Sequence, residues 1–274
     1  SEKITWNMCP ISLEKAIKDN LDKPIKAIIP VHLYGMPYQV DEIKKISIKY
    51  SIPVIEDSAE ALGSSYKSIK CGAFGDISVL SFNGNKIITT SGGGALVSNN
   101  TEYVNKAKFL STQARDSAVH YQHSEIGYNY RMSNVLAGIG IGQMEVLDKR
   151  VHQRRRNNHR YRQFFEDIPG ITFQTEPSND FFSNYWLTAI IIEPELTGGI
   201  TREDVRIAFE NENIESRPLW KPMHLQPVYK GTQFYGEGVC EKLFKNGLCL
   251  PSGSNLTNHE FERIFKVLKK IFKK

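Results

Sequence analysis

The stretch Ile77-Ser78-Val79-Leu80-Ser81-Phe82-Asn83-Gly84-Asn85-Lys86 decides how this chain is read. Residues 77–82 are an apolar run that reads as a buried strand, and Lys86 follows just beyond it. Twenty-nine positions before the lysine, a second run, Ile52-Pro53-Val54-Ile55, ends in Glu56-Asp57. A carboxylate and a lysine at the carboxyl ends of parallel strands lie where open α/β sheets bind ligands. Such a pair suits pyridoxal phosphate (PLP). The amine holds the aldehyde as a Schiff base, and the acid keeps the pyridine nitrogen protonated so that the ring acts as an electron sink. Spacing alone fits a surface lysine and a strand-end aspartate equally well.

Outward from this pair, the first half reads α/β. A strand over 27–31 ends at His32-Leu33-Tyr34-Gly35, and 41–50 has helical spacing through Ile43, Ile46 and Ile48. Strands follow at 53–55, 77–82 and 95–98, an order that argues for a parallel-type sheet with covered faces. Residues 134–167 contain no proline, which predicts one long helix, kinked near 138–142, leading from a first domain (1–147) into a second (148–274). Past Pro169-Gly170, strands are expected at 171–175 and 186–192, a short helix after Thr201, and an extended segment from Ile214 to Arg217. Thr257 and Glu260 form a capping-box pattern. After it, Phe261, Ile264, Phe265, Leu268, Ile271 and Phe272 share one helical face. That face suits a terminal helix docked on a small α+β domain, and also a helix lying on a membrane surface.

At 274 residues and 40% hydrophobic composition the chain can bury a sizeable core. No run approaches the roughly 20 apolar residues of a membrane helix, so no membrane insertion is expected. The four cysteines lack metal-type or redox spacing and read as free thiols in a reducing cytoplasm, with no metal site. The net charge of +5 is partly local, because 149–162 carries seven Lys/Arg and no acid. A nucleic-acid footprint would look like this, but a solvated helix face that also favours an anionic substrate explains it without one.

Four segments occur in a fixed order: Ile55-Glu56-Asp57-Ser58-Ala59-Glu60-Ala61-Leu62-Gly63, Ser81-Phe82 with Lys86, Gly92-Gly93-Gly94-Ala95-Leu96-Val97, and Gly127-Tyr128-Asn129-Tyr130-Arg131-Met132-Ser133. This order closely resembles the DegT/DnrJ/EryC1/StrS family of PLP-dependent sugar aminotransferases. Asn83-Gly84-Asn85-Lys86-Ile87-Ile88-Thr89-Thr90-Ser91 resembles the branch that aminates a UDP-linked 4-keto-6-deoxy-N-acetylglucosamine in the bacillosamine pathway. The resemblance implies an α/β large domain of the aspartate-aminotransferase-like kind (fold type I) and a smaller C-terminal α+β domain. Against the family's usual large domain, roughly the first hundred residues are expected to be missing, leaving a sheet edge at 27–31 unpaired.

The resemblance also implies roles. Lys86 would carry the cofactor and shuttle the substrate proton, and Asp57 would pair with the pyridinium nitrogen. Glu60 stands where the family often has glutamine or histidine at the phenolic edge, a departure that questions the cofactor's protonation state. Ser81 matches a phosphate-binding hydroxyl, although a strand serine can equally back-bond to its neighbours. Asn129 matches a residue reaching the partner subunit's phosphate, which implies a homodimer with shared sites. The glycines at 92–94 continue into a strand rather than a helix, so they suit close backbone passage, not a phosphate cradle. Arg217-Pro218-Leu219-Trp220-Lys221-Pro222-Met223-His224 lies where the family contacts its nucleotide sugar. Arg217, Trp220 and His224 could grip a pyrophosphate and cover a ring, or simply form a proline-stiffened turn. His32 is a further substrate candidate, with a structural histidine as the alternative. Three readings follow. The first is an aminotransferase moving nitrogen from L-glutamate to a keto-sugar nucleotide. The second is a PLP-dependent sugar dehydratase, opposed by the presence of Lys86. The third is a non-catalytic member or one part of a split enzyme.

Overall fold

In the computed structural model, which describes residues 1–274, helices α1 (Pro10–Lys18) and α2 (Val40–Tyr50) bury Ile17, Val40, Ile43 and Ile46. These four pack with Ile28, Tyr38, Ile52, Val54 and Tyr66 in one apolar cluster. The sheet beside them contains β1 (Ile55–Asp57); next come the short strands β2 (Ser65–Tyr66) and β3 (Ile69–Lys70), then β4 (Ile77–Ser81) and β5 (Gly94–Val97). β4 is central, parallel to β1 and antiparallel to β5. The strand expected over 27–31 is reduced to two isolated parallel bridges, Ile28 to Val54 and Val31 to Asp57. Pro30, which has no N–H to give to a ladder, sits between them.

After α3 (Thr101–Ser111), the single long helix expected over 134–167 is two: α4 (Asn134–Met144) and α5 (Leu147–Phe165). The break falls at Glu145-Val146 rather than at the glycines, which lie inside α4. The two helices have different surroundings, because α4 buries none of its residues while α5 buries Val151, Tyr161, Phe164 and Phe165.

The remaining elements are β6 (Ile171–Phe173), β7 (Phe181–Phe182), β8 (Thr188–Ile192), α6 (Arg202–Asn211), β9 (Arg217–Pro218), α7 (Val239–Asn246), β10 (Gly247–Leu250) and α8 (Asn258–Phe272). β7 leaves this region to extend a small sheet in the order β3-β2-β7. The others form an antiparallel sheet in the order β6-β8-β10-β9. Both faces of β8 and β10 are buried, and the two-residue alternation of a strand divides the work. Ile190, Ile192, Leu248 and Leu250 face α5, α6 and α8, where Tyr161, Phe209, Phe261, Ile264 and Leu268 complete the largest core. Ala189, Ile191 and Cys249 face the other way and pack with Trp6, Tyr34, Ile87, Ile88 and Trp186. The second face is the one that supports the lysine loop.

The capping box at α8 forms as expected, with Thr257 and Glu260 bonding each other's backbone. Phe261, Ile264, Val267 and Leu268 are buried, so the helix docks on the sheet. Each large apolar side chain so buried contributes roughly 1.5–3 kcal/mol. No helix is long and apolar enough to cross a membrane. The basic run of 149–162 is a solvated face only in part: Lys149, His152, Arg156 and His159 are exposed, but other members are held by the fold. Arg155 pairs with Glu176 at 2.6 Å, Arg162 donates to the Gln174 carbonyl at 2.7 Å, and Arg160 donates to Asn258 at 3.0 Å.

Candidate active site

Adjacent residues on a strand point to opposite faces, and β1 uses this to separate two carboxylates. Glu56 is fully buried and accepts six hydrogen bonds: from His32 Nε2, the Ser58 and Ser78 hydroxyls, and the N–H groups of Gly72, Phe74 and Gly75. Burial alone would raise its pKa. The hydrogen bonds from His32, the Gly72 N–H and the Ser78 hydroxyl outweigh it and bring the carboxyl down to about 2. His32 is equally committed. Its Nδ1 accepts the Tyr38 N–H at 3.2 Å, its Nε2 meets Glu56 at 2.7 Å, and its ring stacks on Tyr38. With no exposed atom and both nitrogens used, His32 cannot contact a substrate, which corrects the sequence expectation.

Asp57 faces the other way. Its carboxylate accepts a single hydrogen bond, from the Ala59 N–H at 3.0 Å, and has no ion-pair partner. Asp57 is in register with Val79 of β4, and the loop after β4 carries Lys86. Lys86 is 14% exposed at its side chain, and its Nζ lies 4.4 Å over the Trp186 ring and 3.9 Å from Glu60. The amine makes no hydrogen bond. Trp186 also braces the loop, donating from Nε1 to the Asn85 carbonyl at 2.9 Å.

Glu60 joins three segments. One oxygen accepts the Tyr34 N–H at 2.7 Å, and the other accepts Trp220 Nε1 at 3.3 Å. Burial holds its carboxyl above the ordinary glutamate range, opposed by the Tyr34 N–H and the Lys86 charge. Tyr34 adopts φ +58°, a left-handed backbone that costs a bulky residue energy, and its hydroxyl accepts the Trp220 N–H at 2.9 Å. The next residue must be glycine, because a Cβ on Gly35 would lie 1.8 Å from Asn184 Oδ1.

Beside the lysine loop opens a cleft of about 720 Å³ lined by Asn85, Trp186, Trp220, Arg217 and Arg154, among others. Trp220 and Arg217 are therefore brought to one cleft, although Arg217 is 70% exposed and pairs with Glu215 at 2.7 Å. His224 is not. Its ring stacks on Phe234 at 3.7 Å and its Nε2 meets Glu241 at 2.9 Å, which ties it to α7 instead. Cys240 lies beside this pair, so His224, Cys240 and Glu241 bring three metal-type ligand atoms together outside the cleft. Ser81 closes β4 with a hydroxyl that accepts only a long bond from the Asn83 N–H, leaving its proton free. Asn129 is exposed on a segment bridged to Thr112, without a side-chain hydrogen bond in its own chain. The glycines behave as close-passage residues, since a Cβ on Gly94 would lie 2.4 Å from the Leu80 carbonyl oxygen.

Trp186, Tyr34 and Arg154 were not picked out by sequence reasoning. Trp186 reads there only as the start of a strand, and its place under Lys86 depends on a contact across 100 residues.

An amine without a hydrogen bond and a carboxylate without a cation, at the ends of adjacent strands, fit a group that offers an electrophilic carbon and a basic ring nitrogen. With the α/β sheet and the α+β unit behind it, this arrangement defines a PLP-dependent enzyme of fold type I. The chain belongs to the DegT/DnrJ/EryC1/StrS aminotransferase family, which it matches over residues 1–269. It is 50% identical to EpsN of Bacillus subtilis (strain 168), named for a pyridoxal phosphate-dependent aminotransferase, over 99% of this chain and 70% of that protein. It is 36% identical to the GDP-perosamine synthase of Escherichia coli O157:H7, over 95% of this chain and 68% of that protein. A family aminotransferase from Brucella abortus superposes with a TM-score of 0.87 at 27% identity, covering 98% of this chain and 71% of that one. The protein is thus a PLP-dependent sugar aminotransferase.

Proposed function

We propose that this protein transfers an amino group from L-glutamate to a nucleotide-linked 4-keto-6-deoxy sugar derived from UDP-N-acetylglucosamine, for glycan assembly in the cytoplasm. The observation that carries this reading is Lys86 Nζ, free of hydrogen bonds, between the Trp186 ring and Glu60, one residue along from Asn85, which lines the cleft with Trp186. PLP, when bound, supplies a carbon that takes up amines and a ring that absorbs the electron pair left by deprotonation. Lys86 holds the cofactor and then moves the substrate proton. The Trp186 ring and the braced Asn85 carbonyl keep its amine aimed. Asp57 keeps the ring nitrogen protonated, and the Ser81 hydroxyl donates to the phosphate. Glu60, with its raised pKa, holds a proton beside the phenolic edge more readily than an exposed glutamate, which eases the repulsion of two anions. Trp220 covers the sugar and Arg217 meets the diphosphate at the outer end of the cleft.

The test is amino transfer from L-glutamate to UDP-linked and to GDP-linked 4-keto-6-deoxy sugars. The UDP substrate should be preferred, and preference for the GDP sugar would overturn the assignment of the nucleotide. Arg217→Ala should weaken sugar-nucleotide binding by about 1.5–3 kcal/mol, the range for hydrogen bonds to charged groups, and leave the glutamate half-reaction nearly unchanged. Equal damage to both halves would remove Arg217 from the nucleotide site.

A homodimer with shared sites is part of the same reading. α4 is apolar but exposed: Val135 is 74% and Ile141 68% accessible, and Tyr130, beside Asn129, is 75% accessible. A patch of this kind marks an interface, which would carry Asn129 toward a partner's phosphate. Light scattering should therefore give twice the chain mass. A fully active monomer would exclude shared sites.

A further inference from the structure

Arg154 is a cation with nothing to neutralise it. It lies in the middle of α5, is 8% exposed, and lines the cleft beside Trp186 and Trp220. Its single hydrogen bond runs from Nη1 to the Trp186 carbonyl at 2.8 Å. Its buried Nε has no partner, and no carboxylate pairs with it. The two acids that line the cleft are engaged elsewhere, Glu215 with Arg217 and Glu260 with the capping box. A second buried donor without a partner, the Ser216 hydroxyl, lines the same cleft. Burial, with the nearby charge of Arg150, pushes the guanidinium down to about 10, so it is still charged at neutral pH. Burying a charge without a counter-charge is strongly unfavourable, and an anionic ligand in the cleft would supply the missing partner.

We propose that Arg154 is the oxyanion receptor of the cleft, gripping a carboxylate or phosphoryl group of one of the two substrates through its unpaired guanidinium edge. This rests on the aminotransferase reading of the same cleft, but its test needs no turnover. A planar guanidinium offers two parallel N–H bonds to either group, which a lysine at this place would not.

Two of the three tryptophans line the cleft, so ligand entry should change the intrinsic fluorescence of the full chain. Titration with L-glutamate tests the carboxylate source, and titration with pyrophosphate or UDP tests the phosphoryl source. One arm should bind and raise the melting temperature. Arg154→Met should weaken that arm by roughly tenfold or more, as expected for losing a charge-assisted bidentate contact. The ligand-free variant should melt no lower than the wild type, because an uncompensated charge has gone. Should Arg154→Met fail to fold, Arg154→Lys decides, and weaker binding at an unchanged melting temperature is then expected. The proposal is overturned if neither arm binds to the wild type. Unchanged binding in the variant that folds would overturn it too. So would a fall in the ligand-free melting temperature with binding retained, which would make Arg154 a purely structural residue. Anion binding through Arg154 without amino transfer between L-glutamate and the proposed sugar nucleotides would leave this proposal standing and remove the substrate assignment instead.

Discussion

Replacing Lys86 by alanine is expected to lower amino transfer by about 10³-fold or more, since a positioned acid–base group alone contributes roughly 10²–10⁴. The loss should be chemical, not structural. Ile87 and Ile88 anchor the loop in the core, and Trp186 holds it through the Asn85 backbone, so none of these contacts uses the lysine side chain. The melting temperature of the variant should stay close to that of the wild type. Borohydride treatment of the PLP-loaded wild type should leave cofactor fixed on the peptide carrying Lys86, while the alanine variant should lose all of its cofactor on dialysis. One equivalent fixed in the variant would place the cofactor lysine elsewhere.

Glu56 should dominate the acid sensitivity of the fold. Its pKa is about 2 in the folded protein against an ordinary 4.5, so the folded state prefers the ionised carboxylate. The stabilisation is fully present above pH 4.5 and is lost as pH falls toward 2, a difference of about 3 kcal/mol at 1.4 kcal/mol per unit. Glu56→Gln puts an NH₂ against donors that need an acceptor and removes the charge facing His32, a change expected to cost about 3–5 kcal/mol at pH 7. Urea unfolding of both proteins checks this. The gap between them should be full at pH 7 and should narrow between pH 4.5 and 3. A gap that stays constant over that range would mean that the carboxylate's charge is not what the six donors hold.

Much of the frame was legible before any coordinates. Short apolar runs placed β4 and β5 to within a residue or so, and helical spacing placed α2. Thr257 and Glu260 marked the start of α8 because a capping box is a local exchange of hydrogen bonds, written within four residues. The failures came where a local rule met a distant partner. The residues of 134–167 have no local reason to stop helping a helix at Glu145, yet α5 turns there to send Val151 into a core built with Trp186 and Ile191. The segment 27–31 has the composition of a strand, but Pro30 leaves only two bridges to its neighbour.

The same division runs through the site. Lys86 and Asp57 could be picked out from the sequence because one ends its strand and the other follows its own, and strand ends are where such sheets present ligands. Glu56 and Asp57 are neighbours in sequence with opposite fates, and only the register of β1 against β4 shows which one turns into the core. His32 and His224 looked available as residue types, but Glu56 and Glu241, from other elements, occupy them. By itself, then, the sequence determined β4, β5, α2 and α8, the order of the motifs and the lysine–aspartate pair, all of which depend on neighbours along the chain. The tertiary structure alone decided the Trp186 platform under Lys86, the clamp of Glu60 on Tyr34 and Trp220, and the unpaired charge of Arg154. These rest on contacts between segments far apart in sequence, and the energy of such contacts depends on burial and distance, which a sequence does not carry.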